Sequence, residues 1–130
     1  MIYINGRTPE RLQSAAVALA MEQDVQIHTG GGDYVEICAD GFGYHHGADS
    51  AANKFLQELS WEVRNLAIAI KDRVDAAIAA IRAEQLERAD KALAAGNPGL
   101  ADRIMNRHIG AIEVAQVVRG EPDIAIIKPR

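Results

Sequence analysis

The chain is poor in cysteine, proline and aromatic residues, and it carries no excess of basic charge. A lone thiol, Cys38, cannot close an internal disulfide, so nothing in the sequence demands an oxidising compartment. Lys and Arg total 14 against 18 for Asp and Glu, a net charge of −4. That balance argues against a phosphate-backbone binder, so a protein partner is expected ahead of nucleic acid. Purely apolar runs such as Ala15 to Met21 and Leu66 to Ile70 stay far below the ~20 residues of a membrane span. The opening MIYINGRTPE has no basic segment followed by an apolar run, so no signal peptide, no membrane association and a cytoplasmic setting are expected. At 130 residues the chain fits one domain, long enough to bury a core without a structural metal.

What is present is an ordinary globular balance, 48% apolar and 25% charged, with alanine concentrated after Ser50. Alanine is the best helix former, so the second half should be helical. Ile2 and Ile4 alternate with Tyr3, a short strand. Thr8, Pro9 and Glu10 form a helix start, with Thr8 as cap, Pro9 in the first turn and Glu10 on the positive end of the dipole. Leu12, Ala15, Ala16 and Leu19 share one stripe of that helix, which should end near Gln23. Val25 to Thr29 and Tyr34 to Ala39 alternate at period two and predict strands on either side of a Gly30-Gly31-Gly32 turn. Asp40-Gly41 predicts a two-residue hairpin turn with Phe42 to His46 as the return strand.

From Ser50 to Ala95 there is no glycine or proline. One helix of that extent would run to about 69 Å, longer than the rest of the chain is wide, so it should either break or be covered along its length. Leu56, Leu59, Val63, Leu66 and Ile70 form a heptad seam, and Trp61 and Ile68 lie on the opposite side. Gly96 to Gly99 should reverse the chain into a third helix over 99–119. Ile78, Ile81 and Leu93 would then pack on Leu100, Ile104 and Ile112, with His108 half-buried among them. Residues 123–128 predict a returning final strand. The expected fold is α+β, a single domain over 1–130. It comprises a small, mostly antiparallel β-α-β-β-β sheet unit over 1–47, a helical hairpin over 48–119 and the last strand. A modified ferredoxin-like order is one version of it.

No motif names a chemistry. The two-residue turn would set Ala39 opposite Phe42, Ile37 opposite Tyr44 and Glu36 opposite His45, and the glycine turn would set Gln26 opposite Glu36. Val25, Ile27, Val35, Ile37, Phe42 and Tyr44 would then face the core. Gln26, His28, Tyr34, Glu36 and His45 would form a polar face, the expected binding surface, with Cys38 beside them. A Cys38–His45–Glu36 row suggests thiol chemistry but lacks an oxyanion hole, so no catalytic residue is expected. His45 and His46 point to opposite faces of a strand, and no metal-ligand spacing occurs, so neither a metal nor a cofactor is expected. Gly30–Gly32 and Gly41–Gly43 fit no phosphate-binding fingerprint.

The leading expectation is a non-catalytic homo-oligomer that binds or blocks a macromolecular partner, a profile shared by small phage-borne inhibitors of host defence. Its oligomer interface is expected at Leu59, Trp61, Val63, Leu66, Ile68 and Ile70. One alternative is an oligomeric sponge for a small anionic ligand such as a nucleotide, with Arg7 or Arg11 beside the glycine loops. The other is a small thiol or histidine hydrolase.

Overall fold

Residues 1–120 are described by a computed structural model. The first strand, β1 (Ile2–Asn5), leads through a turn into helix α1 (Pro9–Ala20). Thr8 Oγ1 accepts the Arg11 amide at 3.4 Å, satisfying one of the donors a helix start leaves open. The helix ends at Ala20, three residues before the expected Gln23, because Glu22 turns left-handed at φ 63° and the Gln23 amide folds back to Ala18 O. The chain then enters β2 (Val25–Gly30), β3 (Asp33–Ile37) and β4 (Gly43–His46).

The four strands stand in sequence order. The α1 crossover makes β1 and β2 parallel, and the two tight connections make the remaining pairs antiparallel. The β2–β3 register is the expected one, with Ile27 opposite Val35 and Gln26 opposite Glu36. The β3–β4 register is not. Glu36 lies opposite Tyr44, Val35 opposite His45 and Tyr34 opposite His46. Residues 38–42 form a wider loop in which the Cys38 amide donates to Phe42 O and Asp40 Oδ1 accepts the Phe42 amide at 3.1 Å. This moves the strand by one residue and turns every side chain of β4 to the other face. Phe42 and Tyr44 are therefore exposed, at 66% and 54%, rather than in the core.

Asp49 caps the next helix through a 2.8 Å bond from the Ala52 amide. That helix, α2 (Ser50–Ala94), runs unbroken for 45 residues, about 68 Å. Its first half covers β3 and β4, and α1 covers β1 and β2, so both helices lie on one side of the sheet. Val25, Ile27, Val35 and Ile37 meet Val17 of α1 and Leu56, Val63, Ile70 and Val74 of α2, all essentially without solvent contact.

The expected third helix over 99–119 is two helices, α3 (Pro98–Met105) and α4 (Ala111–Arg119). Asn106 ends the first and Gly110 begins the second. Arg107 in the connection forms a fork with Glu113 of α4, at 3.1 and 2.8 Å. The break lets α4 return to α1, where Val114, Ala115 and Val118 are fully buried and Gln13 Nε2 donates to Ala115 O. Meanwhile α3 packs on the far end of α2 through Ala101 and Ile104 against Ala89 and Ala92. Ile81 is buried, but in the main core rather than against α3; Leu93, Leu100 and Ile112 are exposed at 55%, 37% and 69%, and His108 lies exposed in the connection. The final strand expected over 123–128 falls outside the described residues. The fold is α+β, and among the described residues no helix is long and apolar enough to cross a membrane.

Candidate functional site: the uncovered sheet face

Because both covering helices lie on one side, the opposite face of the sheet carries no secondary-structure element among the described residues. Strand alternation and the observed register place Tyr3 of β1, Gln26 and His28 of β2, Tyr34 and Glu36 of β3, and Tyr44 and His46 of β4 on that face. Four of these side chains form a row across all four strands. The Tyr3 and His28 rings lie 6.4 Å apart, His28 and Tyr34 stack at 5.1 Å, and Tyr34 and His46 stack at 4.2 Å. Offset ring pairs at such separations are favourable beyond the area they bury.

A hydrogen-bond chain runs beside the row. His28 Nε2 donates to Gln26 Oε1 at 2.6 Å, Gln26 Nε2 donates to Glu36 Oε1 at 3.2 Å, and the Cys38 thiol points to Glu36 Oε2 at 4.0 Å. Every donor in the chain leads toward the Glu36 carboxylate. The arrangement fixes the His28 proton on Nε2 and holds Gln26 in one amide orientation. No strand residue is Lys or Arg, so the face is polar and aromatic with one carboxylate.

Gln26, His28, Tyr34 and Glu36 thus come together as expected, while His45 does not join them. It sits opposite Val35, on the side the helices cover, and His46 takes the place assigned to it. Tyr3 belongs to the face too, a membership already present in its alternation with Ile2 and Ile4. The same slip dissolves the Cys38–His45–Glu36 row. Partial burial and the nearby Asp24, Glu36 and Asp40 carboxylates push the Cys38 thiol above its ordinary pKa, with Arg64 opposing them. Such a thiol is held protonated at neutral pH and is a poor nucleophile.

Among the described residues no three His, Cys, Asp or Glu side chains converge as a metal site would require. Arg7 and Arg11 are already engaged. The Arg7 guanidinium lies 4.7 Å over the Phe55 ring, and Arg11 donates to Asn5 O. Of the residues expected at an oligomer interface, Leu59, Val63 and Ile70 are buried in the chain's own core and Leu66 packs against it. Trp61 and Ile68 face outward, 57% and 76% exposed. Ile68 also borders a shallow groove of about 330 Å³ that contains Arg64 and Lys71. Arg64 is spent on Cys38 O and Phe42 O, and Lys71 on Ala20 O and Asp75. No protein-family model matches this chain, and neither a curated protein nor a solved structure matches it.

Proposed function

We propose that this chain is a non-catalytic, homo-oligomeric interaction protein whose uncovered sheet face binds a protein partner. The observation that carries the reading is the row of rings Tyr3, His28, Tyr34 and His46, the last three stacked, on a face without a covering element among the described residues. Tyrosine and histidine offer large contact area with few rotatable bonds, so ordering them on binding costs little entropy. The stack reduces that cost further by holding the rings before the partner arrives. Single-stranded nucleic acid also stacks on sheet aromatics, but it needs a cationic track for its phosphates, and the strands contain no Lys or Arg.

Size sets a further condition. Four strands at ~4.8 Å spacing and about five residues deep present roughly 300 Å², less than half of the ~800 Å² each partner gives to a standard interface. The neighbouring 38–42 loop, with Phe42 66% exposed, supplies adjoining apolar surface. Binding without turnover makes the protein a stoichiometric blocker of whatever surface it covers.

The test is comparative capture. Proteins retained by the natural chain are compared with those retained by a Tyr34→Ala/His46→Ala variant and by Gln116→Ala, a control at an exposed position of α4. A partner held by the natural chain and the control, lost from the double variant and rebound when purified, supports the proposal. Equal retention of the purified partner by the double variant refutes it.

A further inference from the structure

We infer that α2 is a self-complementary antiparallel dimerisation helix, in which a second copy of this chain packs along the side facing away from the core. The inference rests on the homo-oligomeric part of the proposed function and is independent of what the sheet face binds. At 100° per residue, Trp61, Ile68, Ala76, Ala79, Leu86 and Leu93 fall within a sector of about 100° on the helix. All six are exposed, with Trp61, Ile68, Leu86 and Leu93 at 57%, 76%, 52% and 55%. The sector lies opposite the face of Val63, Ile70, Val74 and Ile81, which is buried in the core. Asn65, Asp72, Ala83 and Asp90 fill further turns of the same stripe and are exposed as well, and Asp75 lies at its edge, paired with Lys71 at 3.1 Å.

Apart from Asp75, the stripe follows the same order in both directions. Taken from a point between Ala76 and Ala79, each way outward meets alanine, a small or acidic residue, a large aliphatic one, a polar one and a final large apolar one. A two-fold axis through that point sets Trp61 beside Leu93 of the second copy, Ile68 beside Leu86 and Ala76 beside Ala79. Self-complementarity of this kind is what an isologous interface requires. The small alanines at the axis allow close helix approach, and the large residues at either end then interdigitate.

The polar positions choose the direction. A parallel, in-register pair would set Asp72 on Asp72 and Asp90 on Asp90 across a dry seam, two like-charge contacts. The antiparallel pair sets Asp72 beside Ala83 and gives Asp90 the Asn65 amide as a donor. Lys71, which the axis brings toward Arg82, already holds Asp75 at 3.1 Å. From Trp61 to Leu93 the stripe runs ~48 Å, and at a contact width of ~10 Å it buries about 500 Å² per copy. The total of roughly 1,000 Å² reaches the lower bound of a specific interface.

Two single-cysteine chains test this, Asn65→Cys and Asp90→Cys, each in a Cys38→Ser background. Under mild oxidation neither should cross-link alone and the mixture should cross-link. Sedimentation equilibrium at tens of micromolar should return twice 14.0 kDa for the natural chain, and about 14 kDa for Ala79→Glu with its helix content unchanged. Self-cross-linking of Asn65→Cys alone would overturn the antiparallel arrangement. A dimeric mass that survives Ala79→Glu, without cross-linking in the mixture, would overturn this interface and leave homo-oligomerisation standing. A natural chain of 14 kDa would overturn both.

Discussion

Replacing Ile27 by Ala probes the packing that fixes the sheet beneath its two helices. Ile27 is fully buried on a central strand, between Ile4 of β1 and Val35 of β3, in the core cluster that includes α1 and α2. The substitution removes three carbons, worth about 2.4 kcal/mol at ~0.8 kcal/mol each. Neighbouring strands and two helices limit collapse into the void, so a cavity penalty adds to this, within the observed range of about 2–5 kcal/mol. The expected loss is roughly 3–4 kcal/mol. For a chain of this size that corresponds to a fall in Tm of roughly 10–15 °C. Urea unfolding followed by circular dichroism, in the Ala79→Glu background so that dissociation of the proposed dimer does not contribute, measures it directly. Ile68→Ala in the same background is the internal control. Ile68 is 76% exposed, and its loss should stay within about 0.5 kcal/mol. A loss below about 0.5 kcal/mol for Ile27 as well would refute the core assignment.

Tyr34→Ala removes one ring from the middle of the stack and should cost about 1 kcal/mol, the scale of cross-strand aromatic pairs; a loss above roughly 3 kcal/mol would make Tyr34 a core residue instead. Cys38 should react with iodoacetamide more slowly at neutral pH than a free thiol does, and its rate should keep rising above its ordinary pKa of 9.0; a fast reaction at pH 7 would restore the case for a nucleophile. Arg107 depresses the Glu113 pKa below its ordinary 4.5, so the pair stabilises the fold above that pH and loses the contribution as pH falls through the lowered value. Glu113→Gln should therefore lower Tm at pH 7 and match the natural chain in strong acid, and a difference constant across that range would show that the fork contributes nothing.

The parts legible in the sequence were those where burial and local chemistry agree. Val25, Ile27, Val35 and Ile37 alternate cleanly because one face of β2 and β3 is dry, and a one-residue slip there would bury Gln26 and Glu36. Thr8 is a cap whose side chain bonds where its sequence position suggests. Strand β4 had no such constraint. All four of its residues are exposed, so no buried pattern pinned the register. Asp40-Gly41 serves the observed wider loop as readily as the expected two-residue turn, with Gly41 at φ 106° and the Asp40 carboxylate closing a local turn of its own. That ambiguity misplaced His45 and hid His46. The break between α3 and α4 did leave a trace: Ile104 to Ile109 is a step of five, which no single helical stripe keeps, and Gly110 follows directly. The palindrome of α2 was legible only once burial had shown which side of the helix the core consumes.

The proposed binding face depends on the β3–β4 register, and nuclear Overhauser contacts between assigned aromatic rings measure that register directly. The Tyr34 ring should show strong contacts to the His46 ring 4.2 Å away and to the His28 ring on its other side. Contacts from His45 to Glu36, with none between Tyr34 and His46, would return His46 to the covered side of the sheet, break the row of rings and remove the surface on which the proposed function rests.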